Sequence, residues 1–226
     1  MKYFLDTEFI EGFHKPLFGK RRHFLDLISI GIVCEDGREY YAISNEFSPK
    51  HADNWVRENV ISQLPDRSVD YHDSPRRRQE SLFWKSNRQI SNEILAFVYP
   101  DIFKNFHTVE KEFYLRTRQY GWNTDQPEFY GYFADYDWVL FCSLFGRMID
   151  LPKGFPMYCR DLKQMADEQF EDYFSIYSDN GRVKFNKAKE KDDWIAAHFP
   201  QQENEHSALD DAIWNKKLYE YLNTKQ

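Results

Sequence analysis

The alternation of apolar and polar positions predicts most of the secondary structure before any chemistry is considered. Residues 2–10, Lys-Tyr-Phe-Leu-Asp-Thr-Glu-Phe-Ile, are rich in aromatic and apolar side chains and read as a strand. Residues 12–23 break that pattern and read as a loop with a basic cluster, Lys20-Arg21-Arg22. Leu27 to Cys34 is apolar on both faces, the mark of a strand buried on both sides. Asp36-Gly37 is a hairpin turn signal, so Tyr40 to Ser44 returns as a third strand antiparallel to the second. A short helix follows near 52–60, then a charged, irregular stretch at 65–80 containing Arg76-Arg77-Arg78, then a helix near 88–98. Residues 101–127 carry no clear period. Glu128 to Phe133 predicts a fourth strand, 136–149 a helix, Pro156 to Cys159 a short fifth strand and 161–170 another helix. Residues 171–205 are polar and charged, as in a lid or insertion, and 207–222 form the last helix. Three leading strands followed by helices alternating with strands point to one α/β domain, a five-stranded mixed sheet flanked by helices.

Composition narrows the functional classes. The 226 residues are 42% hydrophobic and 30% charged, a globular balance and not a disordered one. The formal net charge of −7 argues against nonspecific coating of nucleic acid. A local basic patch, or divalent cations held by carboxylates, could still bring in a polyanion. Cys34, Cys142 and Cys159 are odd in number and match no zinc spacing, which suggests a reducing compartment. Acids at Asp6 and Glu8 speak against a signal peptide, and no apolar run approaches the roughly 18 residues of a membrane helix. The expected location is the cytoplasm.

Three short segments carry candidate chemistry. Residues i and i+2 of a strand share a face, so Asp6 and Glu8 point the same way from an otherwise apolar strand. Two such charges repel, and burial worsens the repulsion, unless a cation sits between them. A solvated acidic pair on an edge strand is the other reading. In Tyr130-Gly131-Tyr132-Phe133-Ala134-Asp135-Tyr136-Asp137 a strand runs into a helix, and Asp137 shares a helical face with Leu140, Phe141 and Leu144. A carboxylate on that stripe needs a partner, a metal or the helix dipole. Asp135 is placed as the N-cap. In His206-Ser207-Ala208-Leu209-Asp210-Asp211, Ser207 and Asp210 fit a loose capping box, which leaves Asp211 free and His206 in the preceding loop.

Together these segments resemble the DEDDh branch of the DnaQ-like 3′–5′ exonuclease superfamily, whose fold is RNase H-like. More narrowly, Tyr3-Phe4-Leu5-Asp6-Thr7-Glu8-Phe9-Ile10-Glu11, Leu27-Ile28-Ser29-Ile30-Gly31, Asn54-Trp55-Val56-Arg57 and Tyr136-Asp137 resemble a small bacterial exoribonuclease family first recognised in mycobacteria. The resemblance covers residues 1–60 and 128–222. It implies one exonuclease domain over 1–226, with insertions near 61–127 and 171–200.

The resemblance implies that Asp6, Glu8, Asp137 and Asp211 hold two divalent ions. All-carboxylate ligation suits Mg²⁺ or Mn²⁺. Two such ions about 3.5–4 Å apart can activate a water and stabilise the leaving 3′-oxygen. His206 is the implied general base, an imidazole pKa near 6.5 suiting it to take the water's proton. The expected substrate is the 3′ end of single-stranded RNA, released as nucleoside 5′-monophosphates. Thr7 and Phe9 are expected near the terminal nucleotide. Lys20, Arg21, Arg22, Arg76 to Arg78 and Arg160 are candidates for upstream phosphates. A homodimer is compatible with relatives of this fold. A DNA exonuclease, or a catalytically silent nucleic-acid-binding module on the same fold, are the alternatives.

Overall fold

The computed structural model describes residues 1–14, 18–68, 73–100, 126–177, 193 and 197–224. Six strands lie among them: β1 (Lys2–His14), β2 (Arg22–Cys34), β3 (Glu39–Ser44), β4 (Trp84–Lys85), β5 (Glu128–Gly131) and β6 (Arg160–Asp161). They form one sheet in the order β4-β3-β2-β1-β5-β6. β2 is antiparallel to β1 and β3, and the other pairings are parallel, so β2 alone runs against the rest. This is the mixed, RNase H-like arrangement expected, with one strand more than the sequence predicts.

Two strand assignments change. β4 is a two-residue addition beside β3 and is too short to carry a period. The last strand falls at Arg160–Asp161 and not at Pro156 to Cys159. Met157 and Tyr158 are exposed, whereas Arg160 and Asp161 pair with Tyr130 and Gly131. The basic loop is also shorter than 12–23, because β1 and β2 stay paired out to His14 and Arg22.

The helices are α1 (Asn54–Asn59), α2 (Pro75–Ser81), α3 (Asn87–Val98), α4 (Asp135–Ser143), α5 (Leu162–Tyr177) and α6 (Ala208–Thr224). α2 lies in the stretch predicted to be irregular. Ser74 accepts a bond from the Arg77 N–H and Pro75 occupies the first turn, a start signal outweighed in the sequence by the surrounding charge. α4 stops at Ser143 instead of 149, and Gly146 follows at φ +116°, a left-handed conformation suited to glycine. Asp135 is not the cap of α4. Ala134 stands there without a side-chain bond, and Asp135 is already helical. α5 runs on to Tyr177, beyond the point where the polar stretch begins. Most of 101–127, and 178–192 with 194–196, lie outside the described residues.

Tyr3, Phe4 and Leu5 are all buried, so both faces of β1 are covered. The odd positions Tyr3 and Leu5 pack with Ile30, Ile32, Phe129, Ile90 and Ile94 of α3, and Trp138 and Phe141 of α4. The even position Phe4 packs on the other face with Tyr130, Leu162 and Ala166 of α5, and Leu218 and Leu222 of α6. Each such side chain contributes about 1.5–3 kcal/mol on burial. Ile10, Ile28, Ile43, Phe47, Ala52 and Val60 form a third cluster beside α1.

One contact sets the position of α6. Gly31 of β2 lies opposite Asp6, and a Cβ at Gly31 would come within 2.1 Å of the Ala208 carbonyl oxygen. The first turn of α6 therefore rests directly on the β2 backbone, next to Asp6. Among the described residues no helix is long and apolar enough to cross a membrane.

Candidate active site

The carboxylates occupy the place where the apolar cover of β1 ends. Asp6 and Glu8 continue the even face that begins with Phe4, so they point toward α6. The buried stripe of α6 runs Ala208, Asp211, Ala212, Asn215, Leu218, Leu222, which puts one carboxylate and one amide on an otherwise apolar face. Asn215 fixes that face by donating its amide N–H to the Leu5 carbonyl at 2.9 Å. Asp6, Glu8 and Asp211 each offer a carboxylate oxygen, and these oxygens lie within 4.8 Å of one another. The register of β1 on β2 shifts between Glu8 and Phe9, a bulge beside the site.

Thr7 points the other way and meets α4. Its N–H and hydroxyl both donate to Asp137 Oδ1, at 2.9 and 2.5 Å. Asp137 is thereby tied to β1 and buried at the edge of the same cleft, a volume of about 570 Å³.

Burial pushes all four carboxyls up. Asp6 stands well above the usual range, from burial and then from the charges of Asp137, Asp211 and Glu8. Glu8 is raised to about 8 by burial, Asp211 and Asp137. Asp137 is raised to about 6 by burial, against the two Thr7 hydrogen bonds that favour its anion. Asp211 is raised less, because hydrogen bonds from Gln202 and the His206 backbone hold the charged form. Among the described residues that line the cleft, none is lysine or arginine. The charges therefore have no protein cation between them, and the oxygen-only donor set fits a hard divalent cation.

Asp211 is oriented, not free. Gln202 Nε2 donates to Oδ1 at 2.5 Å and the His206 N–H to Oδ2 at 3.1 Å. The carboxylate that the sequence leaves free is thus tied to the backbone that positions His206. His206 adopts φ +69° and lines the cleft, its ring edge-on to Trp55 at 4.7 Å.

The family model for the 3′–5′ exoribonuclease Rv2179c-like domain matches residues 1–223. The chain belongs to that family. It is similar to two 3′–5′ exoribonucleases from Mycobacterium tuberculosis, MT2234.1 of strain CDC 1551 / Oshkosh and Rv2179c of strain ATCC 25618 / H37Rv. Identity to each is 34% over 169 residues, which is 75% of this chain and 76% of the relative.

The remaining candidates of this family member fall into two groups. Thr7 and Phe9 line the cleft, and Phe9 meets the ring of Tyr136 edge-on at 5.7 Å. Lys20, Arg21 and Arg22 are exposed at the outer end of the β1–β2 ribbon, away from the lining, with Arg21 over the Phe13 ring. Arg160 bonds Glu128 at 3.3 Å and lies over Tyr130. Arg76 and Arg77 of α2 pair with Glu80 and with Asp66 and Asp73.

The cleft also takes in residues the sequence did not single out: Gln202, Glu205, Trp214 and Asn215 around Asp211, and Tyr132 and Phe133 after β5. Phe133 has φ +53° and is 64% exposed. For a bulky residue that backbone costs on the order of 1–3 kcal/mol, and an exposed ring recovers little by burial. Lys163 Nζ, 5.6 Å from its centroid, returns about 0.5–1 kcal/mol. A strained aromatic at a predicted strand-to-helix junction was the one signal available, and it needs the backbone to be seen.

Proposed function

We propose that the chain is a metal-dependent 3′–5′ exoribonuclease acting on single-stranded RNA 3′ ends and releasing nucleoside 5′-monophosphates. The observation that carries this reading is the convergence of Asp6, Glu8, Asp137 and Asp211 with His206 on one cleft. The four carboxylates would hold Mg²⁺ or Mn²⁺, two ions per site, which supply a lowered pKa for bound water and charge neutralisation at the phosphate. Gln202 and the His206 backbone orient Asp211, and Thr7 orients Asp137. His206, at the lip of the cleft, takes the proton of the attacking water, with Trp55 bounding its ring. Phe9 and Tyr136 offer rings in the same cleft as the carboxylates, and the basic residues at the outer end of the β1–β2 ribbon would meet phosphates of RNA extending beyond it. The working unit is one domain over 1–226. The unpaired cysteines among the described residues suit the cytoplasm.

The test is a product ladder from a 5′-labelled RNA with Mn²⁺, run beside the DNA of the same sequence. Stepwise shortening of the RNA, with much slower loss of the DNA, is the expected result. A single internal cut would point to an endonuclease and overturn the reading. In the same assay His206→Ala should lower turnover by about 10²–10⁴-fold, the usual worth of a general base, while calorimetric Mn²⁺ affinity changes little. Undiminished turnover would remove His206 from that role.

A further inference from the structure

We infer that Phe133 is a nucleobase platform, the surface on which the base of the 3′-terminal nucleotide stacks; this rests on the exoribonuclease reading. Four observations converge. Phe133 lines the same cleft as the carboxylates, four residues before Asp137. Its ring is 64% exposed, so the fold gains little by burying it. Its backbone sits at φ +53°, a conformation glycine or asparagine would adopt more readily, so the position holds an aromatic at a cost to the fold. Its neighbours hold the ring in place: Tyr132 meets it edge-on at 5.0 Å, and Lys163 Nζ lies 5.6 Å from its centroid.

The direction of the strain matters. A bend stored at a functional position is kept when the displaced side chain does something the unstrained residue cannot. Here the bend lies between β5 and α4, one residue removed from each, and the Ala134 N–H that follows it is held by Asp161 Oδ2 at 3.2 Å. The turn is therefore fixed on one side by a hydrogen bond and on the other by the sheet, and the ring is held at the rim of the cleft. One ring face is turned to Lys163, itself bonded to Asp167. The ring is then available to a base on its exposed side. Stacking of this kind tolerates any base, because every base has a π-face. It requires an unpaired one, which favours single-stranded over duplex ends.

The test uses the full chain with Mn²⁺ and two single-stranded RNAs, identical except that one ends in an abasic ribose. Wild type should cut the normal RNA at least about tenfold more efficiently than the abasic one, the low end of what one base stack contributes. Phe133→Ala should lower kcat/KM on the normal RNA by about tenfold or more, mainly through KM, and should erase the preference over the abasic end. Phe133→Gly should do the same while raising the melting midpoint by a few degrees, because the strain is relieved. Phe133→Trp should keep the preference. A wild type that cuts both RNAs, with Phe133→Ala retaining both its KM and its preference, overturns the platform alone. A wild type that cuts neither overturns the exoribonuclease reading and the platform with it.

Discussion

Asp6→Asn is expected to yield a protein that has lost its nuclease activity and is, without metal, more stable than the wild type. The activity loss follows from the site: a carboxylate within 4.8 Å of two others is replaced by an amide that binds divalent ions poorly. Residues that only orient a metal ligand are worth about 10–100-fold, so a ligand should be worth more than about a hundredfold. The gain in stability follows from the same crowding. Glu8 titrates near 8 instead of 4.5, and Asp137 near 6 instead of 3.8, chiefly because burial and neighbouring acids disfavour their anions. Between those values the folded chain holds protons that the unfolded chain has released. Stability without metal is therefore greatest below about pH 4 as far as these groups are concerned, and falls as pH rises toward 8. At about 1.4 kcal/mol per pKa unit the fall is on the order of 5–10 kcal/mol. Asp6→Asn removes one of the repelling charges, so it should recover about 1–3 kcal/mol at pH 8 and less at pH 5. Melting curves in EDTA at both pH values, repeated with Mn²⁺, measure this directly. The ion should flatten the wild-type slope and leave Asp6→Asn almost unaffected. A metal-free wild type equally stable at pH 5 and 8 would contradict the account.

Gly31→Ala is expected to be the most disruptive single-methyl change in the sheet. The new Cβ would sit 2.1 Å from the Ala208 carbonyl oxygen, with backbone atoms on both sides, so the first turn of α6 must move. Overpacking of this kind usually costs 1–3 kcal/mol, and a contact with backbone belongs at or above the upper end, about 3 kcal/mol. The functional loss should be larger than the loss of stability suggests, because Asp211 lies three residues beyond Ala208 and would be carried away from Asp6 and Glu8. Mn²⁺ affinity by calorimetry should fall at least tenfold in protein that is still folded by circular dichroism. Gly37→Ala is the control. Gly37 has φ +90° and nothing within 4 Å, so it should lose about 1 kcal/mol from backbone strain and keep wild-type metal affinity. Wild-type affinity in Gly31→Ala would show that α6 is not held by that contact.

What could be read from the sequence depended on whether the cause was local. The shared face of Asp6 and Glu8 is a property of any strand, so alternation alone was enough to find it. The buried strand Leu27 to Cys34 was equally legible, but Gly31 inside it gave no sign of a helix lying against its backbone. Asp211 was found by its position in the last helix and misjudged in its bonding, because Gln202 and the turn at His206 reach it only through the fold. The boundary at Asp135 was misplaced for a similar reason: the chain enters α4 through the left-handed Phe133, and no propensity scale anticipates that for phenylalanine. The last strand was misplaced because two residues at a sheet edge carry no period, while the apolar run before them is exposed.

The clasp between Thr7 and Asp137 has an evolutionary consequence. It joins residues 130 positions apart, and the parallel pairing of β1 with β5 joins the same two regions a second time. The connection from α3 to β5 is thus a tether whose ends are already fixed, one by the packing of α3 and the other by the sheet. Closing a longer tether costs only about 0.6 kcal/mol for each doubling of its length. The placing of the four carboxylates is in this way insulated from the length of that one connection, whereas α1, β4 and α3, which pack into the fold, are not free to change.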